Sequence, residues 1–350
     1  MIFVGDIAVP EGINPQIDQL PEVFKTNSVI ANLEGAIVPK DFVTNKETKV
    51  FNSESVINFL KKLNVKVVSL GNNHITDVPE ALQNTKNLLD KNGIARCGAG
   101  DNLDEASKPA VISINDEQYA FLSFGWDVIS CIYATEKSPG CNPLSTKWVM
   151  ESIAKTKVEY PNAKIIVLPH WDYELELYPQ PMHRELARLM IDAGASGVFG
   201  HHPHCAQGIE FYKNAPIVYS VGNWFIPDGV FFNKRLKFPS IAKLQLAIEW
   251  KGTDLICHWY EYEPEGHKLV FLESISAKEC QKIRELTPYS DMDNDLYINW
   301  FKQNRRKKKG LPIYKDVHSD FKNRLRTEWV IIRQQVIKLL LAMNIKKGPN

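Results

Sequence analysis

Five apolar stretches in the first two-thirds of the sequence each lead into a residue that can bind a metal ion. In chain order these residues are Asp6, Glu34, Asn73 with its neighbour His74, His170, and His202 with His204. Ligands at the carboxyl ends of successive strands converge on one edge of a sheet, where α/β proteins usually place their active sites. Five such endings with mixed carboxylate, amide and imidazole groups therefore predict a metal centre.

The donor types indicate the chemistry of that centre. Two divalent ions about 3.5–4 Å apart need a bridging carboxylate together with oxygen and nitrogen ligands. Asp6 and Glu34 offer anionic oxygen, Asn73 offers an amide oxygen, and the histidines offer nitrogen. A set without thiolate suits Mn²⁺, Fe²⁺ or Zn²⁺ at a catalytic site better than a structural zinc. Water activated by two such ions is a nucleophile, so the absence of an evident Ser or Cys nucleophile is expected.

His74 is predicted to move a proton without binding metal. Asp77 follows it by three residues and can orient its imidazole through a hydrogen bond. A histidine held in this way can donate a proton to the leaving oxygen. Asn72 can add a further amide donor toward substrate, although its role is less constrained.

Size and composition indicate a globular protein of ordinary charge. With 350 residues the chain can form one large domain, or one domain with an appendage. The formal net charge of +1 excludes a globally basic nucleic-acid binder. Six scattered cysteines predict free, packed thiols in a reducing compartment. No stretch approaches the ~18 apolar residues of a membrane span, so a cytoplasmic protein is expected.

The pattern of apolar residues predicts a layered α/β architecture. From residue 1 to about 113, strand-like and helix-like stretches alternate. Helices are expected at 56–63, from Pro79 to Gly93, and at 181–193. After His204 the stretches at 217–221, 242–248 and 257–262 have the character of antiparallel strands.

The C-terminal part differs in character. We predict a catalytic domain at 1–275 and a basic, mostly helical extension at 276–350. The run from Arg305 to Lys309 is interpreted as a solvated charge cluster. An apolar stripe then predicts an amphipathic helix that packs on the catalytic domain or another subunit, or that contacts anionic lipid or an acidic partner. The stripe consists of Phe321, Leu325, Trp329, Ile332, Val336, Leu340 and Met343.

The motifs, taken as an ordered set, resemble the CapA-type capsule-synthesis family over residues 1 to about 230. That family is similar to the calcineurin-like metallophosphoesterases. The resemblance implies a four-layer α-β-β-α sandwich with a dinuclear metal site. The matching motifs are Gly5-Asp6, Asn32-Leu33-Glu34, Gly71-Asn72-Asn73-His74-x-x-Asp77, Pro169-His170-Trp171, Gly200-His201-His202-Pro203-His204 and Tyr219-Ser220-x-Gly222-Asn223.

The resemblance also implies a role for each matching residue. Asp6, Glu34 and Asn73 take the places of the metal-binding carboxylates and amide, and His74 that of the leaving-group histidine. The remaining metal ligands are His170, His202 and His204. Two positions depart from the wider pattern. The metallophosphoesterase D-x-H motif is Asp6-Ile7-Ala8 here, so either His201 compensates or the second metal binds weakly. Asp172 replaces the glycine that follows His170-Trp171 and brings a carboxylate near the site.

The function expected from these residues and this resemblance is metal-dependent hydrolysis of a phosphoric ester, most simply a monoester, during synthesis of a bacterial capsule or surface polymer. Asn72, His201, Glu174 and Asn223 are the candidates for contact with a phosphorylated sugar or polymer precursor. Two alternatives stay open. One is a non-hydrolytic assembly component of the poly-γ-glutamate type, partnered by capsule-synthesis proteins. The other is a docking scaffold whose helix attaches it to a partner or peripherally to the inner membrane.

Overall fold

The computed structural model describes residues 1–42, 49–306 and 310–342. The strands in this part are β1 Ile2–Ile7, β2 Gln16–Ile17, β3 Val29–Leu33, β4 Val65–Ser69, β5 Ala95–Cys97, β6 Ala99–Gly100, β7 Ala110–Ile114, β8 Glu117–Gly125, β9 Gly140–Cys141, β10 Lys164–His170, β11 Ala195–Phe199, β12 Ile209–Tyr212, β13 Ala215–Val218, β14 Asn223–Phe225, β15 Leu244–Lys251, β16 Asp254–Glu263 and β17 Lys268–Ser276. The α-helices are α1 Val23–Thr26, α2 Val56–Lys62, α3 Leu82–Lys91, α4 Leu103–Ala106, α5 Thr146–Glu159, α6 Pro181–Asp192, α7 Phe231–Lys234, α8 Gln281–Leu286, α9 Asn294–Asn304 and α10 Asp320–Ala342. Short 3₁₀ turns lie at Pro79–Ala81, Asp127–Ile129 and Ser240–Ala242.

Two large sheets carry the fold. The first has the strand order β2-β17-β16-β15-β1-β3-β4-β5, with β14 also paired to β1. Its strands β1, β3, β4 and β5 are parallel. The pairs β1–β15, β15–β16 and β16–β17 are antiparallel, and β2 runs parallel to β17. The second sheet has the order β12-β13-β11-β10-β8-β7, and β8, β10, β11 and β13 run parallel. The predicted antiparallel strands after His204 are confirmed for β15 and β16.

The two sheets face each other across an apolar core. Successive residues of a strand point to opposite faces, so Phe3 of β1 points toward the second sheet while its neighbours point outward. The Phe3 ring stacks on Phe199 of β11 with their centroids 3.5 Å apart. Helices α2 and α3 pack on the outer face of the first sheet, and α5 and α6 on that of the second. The layered α/β class and the α-β-β-α sandwich are therefore confirmed.

The predicted helices are present with small shifts at their ends. The helix expected at 56–63 is α2, the one expected at 181–193 is α6, and the one expected from Pro79 begins as a 3₁₀ turn before α3. Gly93 and Gly194 follow α3 and α6 with φ of +68° and +115°, a backbone region that favours glycine. All six cysteines are free and buried, as expected. Within the described residues, none of the helices combines the length and the apolar character needed to cross a bilayer.

Residues after β17 pack against the body of the fold. Tyr297 and Phe301 of α9 are buried, and α9 lies against α6. The guanidinium of Arg184, on α6, donates to the backbone oxygens of Tyr289 and Met292. The division at residue 275 stays a prediction, and these contacts cross it.

Arg305 corrects the interpretation of the basic run as a solvated cluster. Its side chain is only 4% exposed, and its Nη1 donates to the backbone oxygen of Leu311 at 3.0 Å. The carboxylate of Glu176, which is also buried, accepts from the backbone N–H of Arg306 at 2.8 Å. Residues 307–309 lie outside the described part of the chain.

The amphipathic helix is present as α10. Its apolar stripe does not pack on the catalytic domain as predicted but faces away from it. Val330 is buried against the domain, whereas the stripe residues that flank it point to solvent. The exposed members of the stripe are Phe321, Leu325, Trp329, Ile332 and Val336. Met343 lies outside the described residues, so the stripe's last position is not placed.

Candidate metal centre

The carboxyl ends of parallel strands from both sheets meet at one place. Asp6 lies near the end of β1, and Glu34 directly follows β3, its neighbour in the first sheet. His170 is the last residue of β10 in the second sheet. One ligand atom from each of these three residues lies within 4.8 Å of the other two. The strand-end argument from the sequence therefore brings the three together in a group that could hold a metal ion.

An asparagine amide joins the two carboxylates. Asn32 Nδ2 donates to Asp6 Oδ1 at 2.8 Å and to Glu34 Oε2 at 2.6 Å. Both carboxylates and Asn32 are fully buried. The amide therefore fixes one oxygen of each carboxylate and leaves the other oxygen of each to face the histidines of the centre. Sequence reasoning did not assign Asn32 a role, although its place beside Glu34 in the motif was the available signal.

The free oxygen of Glu34 faces nitrogen and amide donors. Glu34 Oε1 lies 3.7 Å from His170 Nε2, and it has no hydrogen-bond donor among the described residues. The same His170 nitrogen lies 2.9 Å from Asn73 Oδ1. The ring of His202 lies beside that of His170, with their centroids 4.9 Å apart. Four of the predicted metal ligands therefore surround one small volume.

His204 completes the centre on the side of Asp6. Its Nδ1 lies 3.2 Å from Asp6 Oδ2 and 2.8 Å from Asn223 Oδ1. Burial lowers the pKa of His204, but the hydrogen bond and charge of Asp6 and the charge of Glu34 together raise it to about 9. In the absence of metal the His204 ring is therefore protonated at neutral pH. A metal ion that replaces this positive charge would release the proton.

The charge balance of the centre is the test of whether a metal fits. Asp6 and Glu34 are fully buried, and no Lys or Arg within the described ranges forms an ion pair with either of them. The protonated His204 balances only one of the two buried carboxylates, and a further cation is needed because removing charge from water is costly. Burial, together with repulsion from Asp6, raises the pKa of Glu34 to about 7. The unpaired oxygen of Glu34 and the surrounding imidazoles fit a divalent ion.

Two of the histidines remain neutral and so can act as ligands. Burial, with repulsion from the neighbouring imidazoles, holds the pKa values of His170 and His202 well below the usual range. Among the described residues, the Nδ1 atoms of both rings lack a hydrogen-bond partner. A neutral imidazole with a free nitrogen is the form that binds metal.

His74 and Asp77 form a pair at the edge of the centre. His74 Nδ1 lies 2.8 Å from Asp77 Oδ2, and that oxygen also accepts from the backbone N–H of Val50 at 2.9 Å. Burial lowers the pKa of His74, but the hydrogen bond of Asp77 and the charges of Glu34 and Asp77 raise it above the ordinary value. His74 Nε2 lies 3.9 Å from Glu34 Oε1. The predicted proton donor is therefore held beside the candidate ligands by its predicted carboxylate.

A cavity of about 610 Å³ opens above the centre. Its lining includes Glu34, Asn73, His74, His202 and His204. Most of the other lining residues are apolar, and helix α10 contributes Val330, Arg333 and Gln334. Arg333 is the one lysine or arginine among the described residues that line the cavity, and sequence reasoning did not single it out.

The four candidates for substrate contact separate into two groups. Glu174 lines the cavity and is exposed there. Asn72, His201 and Asn223 are buried and do not line it. For these three, direct contact with substrate stays a prediction.

The buried three are held by other parts of the protein. The side-chain amide of Asn72 donates a hydrogen bond to the backbone oxygen of Leu33 and accepts hydrogen bonds from the backbone N–H groups of Gly35 and His74. These bonds fix the turn after β3. Asn223 Oδ1 faces His204, and His201 Nε2 lies 3.3 Å from the Val4 backbone oxygen. Their contacts position the metal ligands and the strands that carry them.

Asp172, in place of the family's glycine, does not add a carboxylate to the cavity. Its φ of +64° lies in the left-handed region, which Asp tolerates better than most residues. Its Oδ1 accepts from the backbone N–H of Gln180 at 2.8 Å and lies 2.6 Å from His183 Nδ1. The carboxylate therefore anchors the turn after His170 to the start of α6.

Comparison with known proteins identifies relatives that are named for capsule or PGA biosynthesis. The capsule biosynthesis protein CapA of Bacillus anthracis is 26% identical over 246 residues, covering 65% of this chain and 60% of that protein. The PGA biosynthesis protein CapA of Bacillus subtilis (strain 168) is 30% identical over 243 residues, covering 65% of this chain and 63% of that protein. The chain thus spans less than two-thirds of the length of these curated relatives.

Solved structures are more distant. A 5′-nucleotidase precursor from Thermus thermophilus is 14% identical with a TM-score of 0.37, covering 63% of this chain and 40% of that one. A structural similarity this low says nothing about the chemistry of this chain.

The sequence pattern of the family described as bacterial capsule synthesis protein PGA_cap matches residues 1–228, which include all of the candidate metal ligands. This chain therefore belongs to the bacterial capsule synthesis protein family.

Proposed function

We propose that this protein is a dinuclear-metal phosphoesterase, acting on a phosphomonoester in the synthesis of a bacterial capsule or surface polymer. The observation that carries the proposal is the buried pair Asp6 and Glu34, which has no Lys or Arg partner in the described part of the chain and is faced by His170. Two divalent ions at such residues supply charge for phosphoryl oxygens and activate water. Mn²⁺, Fe²⁺ and Zn²⁺ suit the oxygen and nitrogen donors.

The chain's own residues supply the rest of the chemistry. Asn32 keeps both carboxylates turned toward the centre through its two hydrogen bonds. Asp77 holds His74 Nδ1, so that His74 Nε2 can donate a proton to the leaving oxygen of the ester. Arg333 provides positive charge in the cavity lining for an anionic group of the substrate. We propose a phosphorylated sugar or polymer precursor as the substrate class.

The test is phosphate release by purified protein supplied with Mn²⁺, measured with an aryl phosphate and with a panel of sugar phosphates. Asp6→Asn and His202→Ala should each abolish release and leave the unfolding transition in place. His318→Ala is the matched control, because His318 is an exposed histidine outside the cavity. Wild-type activity in both site variants would disprove the proposal.

A non-hydrolytic role in polymer assembly is the second candidate. It is favoured by the names of the relatives, which include a probable polyglutamine synthesis accessory protein of Mycobacterium tuberculosis, 26% identical over 215 residues. On this alternative the metal centre serves a structural role or binds a polymer precursor, and capsule-synthesis proteins are the partners. Metal analysis and phosphate release on the same sample separate the two, because bound metal without hydrolysis of any ester would favour assembly.

A further inference from the structure

Helix α10 exposes an apolar stripe that the rest of the described chain does not cover. The side chains of Phe321, Trp329 and Val336 are 75%, 54% and 49% exposed. Leu325, Ile332 and Leu339 are exposed to a similar degree. The spacing of these six positions, three or four residues apart, places them on one side of the helix. At about 1.5 Å per residue the stripe runs roughly 27 Å. Large exposed apolar patches on a folded protein mark a surface that contacts something else.

The other side of the same helix is already in use. Val330 is buried, and Arg333 and Gln334 line the cavity above the candidate metal centre. Trp329 Nε1 donates to the Gly310 backbone oxygen at 2.9 Å, and Tyr314 lies 3.2 Å from Thr327 through their hydroxyls. These bonds fix how α10 is turned about its axis. The stripe therefore cannot turn inward without breaking the contacts that close the cavity.

We propose that the outward face of α10 is a docking surface for an anionic lipid bilayer. The stripe with Trp329 on one side, and lysine and arginine around it, is the pattern of helices that lie in the membrane interface. Lys322 and Arg324 are exposed beside the stripe. Among the described side chains of α10, the exposed charged ones are Lys322, Arg324 and Glu328, a net charge of +1, because Arg333 lines the cavity instead. An anionic headgroup layer complements this charge.

A second copy of the chain fits the same surface less well. A symmetric pair places the same patch of each copy against the other. The net positive charge beside the stripe would then lie on both copies along one apolar contact, and the like charges would repel. Charge thus favours the lipid surface as the occupant.

Flotation of the full chain with extruded vesicles tests the proposal. We expect binding to phosphatidylcholine vesicles that contain about 30 mol% phosphatidylglycerol, weaker binding to phosphatidylcholine alone, and loss of binding as salt is raised. The triple variant Leu325→Ser/Ile332→Ser/Val336→Ser should lower the partition coefficient on the order of tenfold or more. Its unfolding midpoint should stay close to wild type, because the three side chains are about half exposed.

A matched control removes equally exposed apolar side chains elsewhere. Val158, Leu272 and Leu296 lie on α5, β17 and α9, and they are exposed to a comparable or greater extent. Val158→Ser/Leu272→Ser/Leu296→Ser should float like wild type. Trp329 also serves as a reporter. Its emission should shift to the blue on vesicle binding, and Trp329→Phe should remove that shift while the protein still floats.

Three results would overturn the proposal. The first is wild-type protein that fails to float with anionic vesicles. The second is equal loss of binding in the stripe variant and its control. The third is sedimentation of wild-type protein as a dimer that the stripe variant converts to a monomer, which would assign the stripe to a second copy. None of these readouts depends on phosphoesterase activity, so the docking surface and the proposed reaction can fail separately.

Discussion

Replacing Glu34 by glutamine should stabilise the metal-free protein at pH 8. Burial and the nearby Asp6 raise the pKa of Glu34 from 4.5 to about 7. The folded state therefore holds a proton that the unfolded state has lost, and folding becomes less favourable as pH rises through this window. The difference of about 2.5 between the folded and unfolded pKa values lowers the free energy of unfolding by about 3 kcal/mol once the pH exceeds 7. Glu34→Gln removes the charge and with it this penalty.

Urea unfolding followed by circular dichroism, in buffers containing EDTA, measures the effect. The free energy of unfolding of Glu34→Gln should exceed that of wild type by about 3 kcal/mol at pH 8, and by about 1 kcal/mol at pH 5. Mn²⁺ should remove most of this difference at pH 8, because wild type gains about 3 kcal/mol at a metal concentration 100-fold above its Kd. The variant, which lacks one carboxylate ligand, should gain less.

Glu210→Gln is the matched control, because Glu210 is a buried glutamate with a cation beside it. Arg184 donates to both of its oxygens, at 2.9 and 2.8 Å. Burial raises the pKa of Glu210, but these bonds and the charge of Arg184 hold it below the usual value. This variant should lose about 3–5 kcal/mol at pH 8 with or without metal. If Glu34→Gln also destabilises the metal-free protein at pH 8, or if its effect is independent of pH, the argument from buried charge is wrong.

Three further outcomes follow from the geometry. Asp77→Asn should lower the pKa of His74, so that kcat declines at a lower pH than in wild type, as a pH profile of phosphate release would show. Arg333→Ala should raise KM for a phosphate ester on the order of tenfold, whereas Arg326→Ala, on the same helix but outside the cavity lining, should not. Arg184→Met should reduce the free energy of unfolding by about 3–5 kcal/mol in urea, since it removes the bidentate cation of buried Glu210 and leaves only Arg188, at 3.0 Å, beside that carboxylate.

The sequence predicted the centre because its ligands follow strands. Asp6, Glu34 and His170 occupy strand ends in parallel regions of two sheets, and such ends share an edge whatever the loops do. The helices at 56–63 and 181–193 were equally predictable, because their apolar faces bury against a sheet. In both cases the prediction rests on a local sequence pattern that the fold preserves.

The partners of buried polar groups could not be predicted in this way. Asn32 reaches Asp6 across 26 positions of the chain, and Arg184 reaches Glu210 across the same distance in sequence. Such contacts depend on distances between elements that are remote in sequence, which periodicity does not contain. The prediction of which face of α10 packs on the catalytic domain was wrong for the same reason. An apolar stripe can be covered by the rest of the chain or by something outside it, and its spacing does not tell the two apart. In α10 the other face, with Val330 and Arg333, packs toward the cavity.

The glycines beside the ligands show why the motifs are so specific to this site. A Cβ at Gly5 would lie 2.0 Å from the Gly222 backbone oxygen, and one at Gly200 would lie 2.0 Å from the Tyr219 backbone oxygen. The strand ends thus approach too closely for any side chain, and Asp6 N–H donates to the same Gly222 oxygen at 3.1 Å. This close approach brings Asp6 level with Asn223, whose amide faces His204. A carboxylate preceded by glycine is therefore a stronger signal than a carboxylate alone, because the pair specifies both the donor and the backbone spacing that the centre requires.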